Sequence, residues 1–547
     1  MKRKLLILTS IFFIQGCVNP STSDSGANLN SSSLSESLSS VEDSSSMIDS
    51  SSEENSSITS SDSISGSEEV SSDINVDISD KMYYKNLVNR DKLVYSDDFK
   101  NDENHDVTAL EIFQLNDTHG AYINQDDIVG ISKVKTCINQ NTIDPYAVVK
   151  IANGDMLQGT AFSNMLLGEP AISALNEMDF DCFVLGNHEF DWGIDNLSIY
   201  KDNDLSNGEL QCDFLGANIV DGSGKMPDWI KPYTVVKKGD VKVGIIGVIG
   251  ENLESSISKA SLGNYQFLQV APIIKEYTNV LLNQENVDVI ILSEHNHSSN
   301  SNQSYVNTNM IDCIINGHDH KQVEDTVNRF DGKTIPVIES YDKNGSIGKV
   351  TLNLDSSNKM TSFSMKHLTP SSYQEDTTLK TLMDVFYEVV SAYESEVIGY
   401  TSSNLNNKSI GISTCNYINY KYGVDVTMIN TAGVRANVPV GDITNGSMYE
   451  VFPFDNELYI IDVTGDELYS IVSRTGYYFN DTGIGNGSNC NLSNIDRSKM
   501  YKLCTVDYVA TKSFFSMYFN EEHDLIKTGD YIRDCAIENI KMNYKKK

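Results

Sequence analysis

Between residues 107 and 365, short β-branched apolar runs recur, and most of them end in a polar motif. The runs fall at residues 110–115, 147–151, 182–185, 243–248, 287–292 and 311–315, with polar segments of helical length between them. Apolar runs of strand length alternating with helix-like stretches define a layered α/β domain. In such a domain, functional side chains collect on the loops that leave the strands.

Those loops carry one kind of chemistry. The first run leads into Asn116-Asp117-Thr118-His119-Gly120, the second into Asn153-Gly154-Asp155, and the third into Gly186-Asn187-His188-Glu189-Phe190-Asp191. The last two lead into His295-Asn296-His297 and Gly317-His318-Asp319-His320. The chain has nine histidines, and six of them lie in these motifs. A single histidine in an apolar setting reads as a core residue. Six of them after strand-like runs, beside Asp and Asn, read as metal ligands. Carboxylate, imidazole and amide oxygen together suit Mn, Zn or Fe rather than Ca or Mg alone. A shared carboxylate can bridge two such ions about 3.5–4 Å apart, and the pair can polarise a phosphate and acidify a water.

The ordered set Asp-x-His, Gly-Asp, Gly-Asn-His-Glu, His and Gly-His-x-His resembles the calcineurin-like metallophosphoesterases. The resemblance implies an α/β fold of the four-layer metallophosphoesterase sandwich type. It implies that Asp117, His119 and His320 hold one divalent ion and that Asn187, His295 and His318 hold the second, with Asp155 between them. His297 is the alternative to His295, because Glu294 stands where the family has Ser or Thr. His188 would face the phosphate and assist the leaving oxygen, oriented and kept cationic by Asp191; a helix N-cap is the simpler role for Asp191.

A second resemblance covers the rest of the chain. Asn430-Thr431-Ala432-Gly433-Val434-Arg435, Gly441-Asp442-Ile443-Thr444 and Pro453-Phe454-Asp455-Asn456 resemble motifs of the 5'-nucleotidase C-terminal domain. This implies a smaller α/β substrate domain in which Phe454 and Tyr508 clamp a base, Gly433 and Asn456 line the pocket, and Arg435 reaches the phosphate. Without the motif context, Phe454 and Tyr508 would read as core. Two departures leave base and sugar preference open: residues 411–422 contain no Arg, and Ala510-Thr511-Lys512-Ser513 replaces the family's Gly-Gly-Asp-Gly.

The N-terminus differs in character. Lys2, Arg3 and Lys4 precede a short apolar run, and Ile14-Gln15-Gly16-Cys17 resembles a lipoprotein signal with Cys17 lipidated. Residues 18–105 are rich in Ser, Asp, Glu and Asn and read as a disordered tether with a mean span of about 50 Å. The net charge of -35 argues against nucleic-acid polymers as partners. The remaining eight cysteines read as buried free thiols.

The expected organisation is a signal at 1–17, the tether, a metallophosphoesterase domain at 106–370, a connector helix ending at 397 and a substrate domain at 398–547. The expected function is removal of phosphate from nucleoside 5'-monophosphates at the cell surface, by a lipid-anchored monomer with two Mn or Zn ions. The alternatives are a 2',3'-cyclic phosphodiesterase or 3'-nucleotidase, a UDP-sugar hydrolase, or an inactive nucleotide-binding surface protein.

Overall fold

Two β-sheets lie face to face in the larger part of the chain. The computed structural model describes residues 79–96, 102–125, 128–297, 301–473, 477–479, 492–512 and 514–545. The expected signal, Cys17, Cys490 and most of the expected tether lie outside these residues.

The first sheet runs in the order Met360–Leu368, Ile347–Leu354, Ala109–Leu115, Val148–Asn153, Cys182–Val184, Asp213–Leu215, Ile230–Lys231. Its last five strands are parallel. The second runs Val323–Asn328, Thr334–Glu339, Cys313–Gly317, Val289–His295, Val241–Ile249, Tyr233–Lys238, with a parallel centre. Alternation along a strand divides its side chains between two cores. Leu110 and Ile112 belong to the core between the sheets, with Ile245, Ile291 and Ile315. Phe113 and Leu115 belong to the core beneath the helices Ile131–Asn141 and Glu169–Glu177. Helix Val270–Val280 packs Val270 and Ile274 on the outer face of the second sheet, where Leu281 next to it meets Gly244. All six apolar runs are strands, and the layers stack as the sandwich fold requires.

Helix Thr377–Glu394 joins this domain to the next. Asp376 caps it, accepting the Leu379 N–H at 2.9 Å. Leu379, Leu382, Met383, Phe386 and Val390 recur at helical spacing and are all buried. The helix ends before the expected residue 397, because Val397–Thr401 is already a strand paired with Gly441–Thr444. The second domain has a five-stranded sheet: Tyr477–Phe479, Val426–Asn430, Met500–Val506, Glu457–Thr464, Ile526–Tyr531. Helices Asn407–Tyr422 and Ile532–Asn543 pack against one another beside it.

The expected tether boundary at 105 needs correction. Ser79–Asn86 is a helix and Arg90–Lys92 a 3-10 turn. The composition there is polar, but Lys81 and Lys85 are not solvated. Lys85 is buried and donates to Glu169 at 2.6 Å, and Arg90 donates to the same carboxylate at 3.0 Å. Buried charges survive when paired in this way. Seven free cysteines occur among the described residues, six of them buried. No helix among the described residues is long and apolar enough to cross a membrane.

Candidate active site

The motif loops leave the C-terminal ends of both sheets and meet there. Two contacts show how tightly. Asn153 Nδ2 donates to the Glu294 carbonyl at 3.3 Å, and Gln114 Nε2 donates to the Asn316 carbonyl at 3.2 Å. Gly154 adopts φ +79°, and a Cβ there would lie 2.2 Å from His295 Nδ1, so only glycine fits. Asp117, His119, Asp155, His318 and His320 all have positive φ, between 46° and 88°. Each such backbone costs roughly 1–3 kcal/mol and persists only where its surroundings fix it. Glu189 supplies part of that fixing. Its buried carboxylate accepts backbone N–H groups from Gly186 (2.7 Å), Asp155 (2.8 Å), Met156 (2.8 Å) and Leu157 (3.2 Å), tying two motif loops together.

The donors fall into three overlapping groups: Asp117, His119 and His320; His119, Asp155 and His188; Asp155, His295 and His318. His119 Nε2 and His320 Nε2 are 3.0 Å apart. His320 Nε2 is 3.4 Å from Asp117 Oδ1, and His295 Nε2 is 3.2 Å from Asp155 Oδ2. Asp117 Oδ1, Asn187 Oδ1, His295 Nε2 and His318 Nδ1 are buried atoms with no hydrogen-bond partner. Unsatisfied buried polar atoms are costly and uncommon. Four converging here, on two carboxylate–imidazole groups that share the neighbourhood of Asp155, form a donor set suited to two cations. The residues therefore fit the two divalent ions that the family implies.

The electrostatics agree. Burial would raise the Asp155 carboxyl, but His295 and then His188 hold it well below the usual carboxylate range. Burial opposes charge on His295, yet Asp155 lifts that imidazole to about 10. Asp155 thus holds positive charge in a buried site. Burial and the neighbouring His295 push His318 down to about 4. A neutral imidazole is the form that ligates a metal.

His188 follows a donor but has a different partner. Its Nδ1 is 2.8 Å from Asp191 Oδ2. Burial would lower its pKa, but Asp191 and then Asp155 lift it to about 9. This ring opens into a cleft of about 200 Å³ that is also lined by Asn187, His318, Arg435, Phe454, Asn456 and Tyr508. The Phe454 ring stacks on His188, with centroids 5.5 Å apart and planes 18° apart. The Arg435 guanidinium lies 6.0 Å above Phe454. Gly433 lines a smaller hollow behind, with Asn430, Phe452 and Asn456. Tyr508 donates to the Ser255 carbonyl at 3.3 Å and carries the Lys512 ammonium 3.9 Å above its ring.

The two histidines that sequence left as alternatives are placed differently. His295 ends a strand and is fully buried. His297 is 59% exposed and is 2.6 Å from Asp319. Sequence reasoning passed over Glu189, although it stands inside a quoted motif. It also passed over Asp342, whose carboxylate is 3.5 Å from His320 Nδ1. Lys512 likewise had no role assigned, yet it donates to the Ser255 and Ile257 carbonyls across the cleft. For Asp342 and Lys512 no local pattern gives a signal, because both act through residues distant in the chain.

Two packed sheets with carboxylate–histidine groups at their C-terminal ends define a metallophosphoesterase, and the family described as calcineurin-like phosphoesterase matches residues 110–322. The family described as 5'-nucleotidase, C-terminal domain matches residues 388–486. The chain belongs to the metallophosphoesterases that join these two domains, as the 5'-nucleotidases do. It is 25% identical over 429 residues to a 5'-nucleotidase of Vibrio parahaemolyticus, covering 67% of this chain and 74% of that protein. It is 23% identical over 406 residues to the endonuclease YhcR of Bacillus subtilis, covering 66% of this chain but only 32% of that protein. The fold is that of a 5'-nucleotidase precursor from Thermus thermophilus, with a TM-score of 0.66, 19% identity and coverage of 80% of this chain and 97% of that chain.

Proposed function

We propose that this protein is an extracellular hydrolase that removes phosphate from nucleoside 5'-monophosphates and related small nucleotides. It would act as a monomer tethered to the outer face of the plasma membrane through a lipid on Cys17. The observation that carries the catalytic reading is the convergence of four orphaned donor atoms beside the His188–Asp191 pair, at the mouth of a cleft lined by Phe454 and Tyr508.

In this reading Asp117, His119 and His320 would hold one ion, Asn187, His295 and His318 would hold the other, and Asp155 would contribute to both. Two divalent ions there, Mn or Zn, supply Lewis acidity toward a phosphoryl group and toward water. The chain's own groups do the rest. His188, held as a cation by Asp191, hydrogen-bonds the phosphoryl oxygen and gives its proton to the departing ribose oxygen. Arg435 presents two N–H groups to the phosphate. Phe454 and Tyr508 stack on the base, and Asn456 bonds its edge. Closure of the two domains around the cleft keeps bulk water from the reacting group.

The test is phosphate release by the full chain from AMP, UDP-glucose and 2',3'-cyclic AMP, after chelation and again after Mn or Zn is returned. Release from AMP, lost on chelation and restored by metal, supports the reading. Preference for UDP-glucose or the cyclic nucleotide moves the substrate to those alternatives. Nucleotide binding with no phosphate release would establish a binding protein instead.

A further inference from the structure

The segment before the catalytic domain carries an unassigned role. Lys81, in helix Ser79–Asn86, lies outside both family-matched regions. Its side chain is only 2% exposed, and its Nζ is 2.7 Å from Asp455 Oδ2. The other Asp455 oxygen takes the Arg533 guanidinium, from the final helix Ile532–Asn543. Asp455 stands between Phe454 and Asn456, the residues read above as base-binding. Two cations from opposite ends of the chain therefore grip one carboxylate in the middle of the loop that lines the cleft.

The grip is part of a larger fixation. The carbonyl of Pro453 accepts from Gln158 (3.0 Å), Asn164 (3.0 Å) and Arg533 (3.3 Å). The carbonyl of Asn456 accepts from Ile532 N at 3.0 Å. Loop backbone is thus held on both flanks, while the Asp455 side chain holds its centre. Burial alone would raise the Asp455 carboxyl, but Lys81 and then Arg533 keep it well below the usual carboxylate range. Lys81 is itself fixed against the catalytic domain. Its ammonium lies 5.9 Å from the Trp192 ring, next to Asp191. Four residues on, Lys85 binds Glu169 and lies 4.6 Å over the Tyr200 ring. The helix touches the catalytic domain through Lys81 and Lys85, and Lys81 also reaches the substrate domain at Asp455.

We infer that Lys81 is a positioning residue for the base-binding loop 452–456, so that the segment ahead of the catalytic domain is a working part of the substrate cleft. Removing its charge leaves Asp455 with one partner and loosens the loop that orients Phe454 and Asn456. The phosphate groups, held by other residues, keep their places. The substrate consequence rests on the nucleotide reading above; the loop consequence does not.

The experiment compares the full chain with Lys81→Met, which keeps an unbranched stem against Trp192, and with Lys81→Gln should the first variant be unstable. Two measurements are made: KM and kcat for AMP and for ribose 5-phosphate, which lacks the base, and hydrogen exchange of the 452–456 amides without substrate. The expected results are a KM for AMP raised about tenfold, kcat/KM for ribose 5-phosphate unchanged within about twofold, and faster loop exchange with the strand Ala109–Leu115 unaffected. Equal losses on both substrates, or loop exchange identical to the unaltered chain, would overturn the inference. If the unaltered chain hydrolyses no nucleotide, the functional reading falls, and loop exchange still decides the role of Lys81.

Discussion

His188 shows how one side chain takes its function from neighbours. Asp191 fixes its ring at 2.8 Å, the His188 backbone N–H donates to Asp155 at 2.8 Å, and the ring faces the cleft. His188→Ala is expected to lower kcat by about 10²–10⁴ while bound metal stays constant, because a general acid is lost and the ligand groups around Asp117 and His295 remain. Steady-state rates with elemental analysis check this, and a near-normal rate would remove His188 from catalysis. Glu394 makes a different residue-scale prediction. Burial, helped by Glu450, pushes its carboxyl up to about 7, and its Oε2 has no hydrogen-bond partner. Between the ordinary carboxylate range and about pH 7, the folded chain keeps a proton that the unfolded chain has released. Stability attributable to this group is therefore present at low pH and is lost as pH rises through that window. Glu394→Gln should be more stable than the unaltered chain by roughly 1–2 kcal/mol at pH 8, with the difference vanishing near pH 4. Denaturant unfolding at the two pH values decides it, and a pH-independent difference rules the mechanism out. The residues of the motif loops were legible in sequence because each follows an apolar run. The choice between His295 and His297 was not, since only the end of the strand Val289–His295 separates the buried ring from the exposed one.

At the scale of elements, strands buried on both faces were the legible ones. Val241–Ile249 and Val289–His295 are almost wholly buried and read as continuous apolar runs. Val323–Asn328 lies at a sheet edge with most side chains exposed, and its sequence Val-Glu-Asp-Thr-Val-Asn carries little apolar signal. Met360–Leu368 is the edge strand of the other sheet, and only its two end residues are buried. The connector helix was visible because its apolar residues repeat at helical spacing, while its end was set by strand pairing that begins at Val397. Its start depends on a cap. Asp376 accepts the Leu379 N–H and is also 3.2 Å from Lys135 of the first domain. Asp376→Ala should cost about 1 kcal/mol, and Asp376→Asn, which keeps an acceptor for the cap, should recover most of it. Urea unfolding of both variants tests this; equal losses would assign the effect to the Lys135 pair rather than to the cap.

For the molecule as a whole, the decisive arrangement is one that no short stretch of sequence encodes. Five loops from two sheets place Asp117, Asp155, four imidazoles and Asn187 in one buried region, at the cost of strained backbones and orphaned donors. The second domain is held beside it where Gln158 donates to the Pro453 carbonyl, and Lys81 pairs with the neighbouring Asp455. Such a centre is not at its lowest free energy without cations, because the unfolded chain would hydrate the same donors separately. A ligand that binds the folded state alone stabilises it by RT ln(1 + [L]/Kd), which is about 2.7 kcal/mol at a hundredfold excess over Kd. Exhaustive chelation should therefore lower the thermal midpoint by several degrees, and returning Mn or Zn should restore it in a concentration-dependent way. Asp155→Asn should blunt that response, since the carboxylate placed between the two groups is the one lost. Scanning calorimetry with and without metal reads this without reference to any substrate. A midpoint indifferent to both chelator and metal, in protein that elemental analysis shows to be free of transition metals, would mean that the donors do not hold the ions for which their geometry is suited.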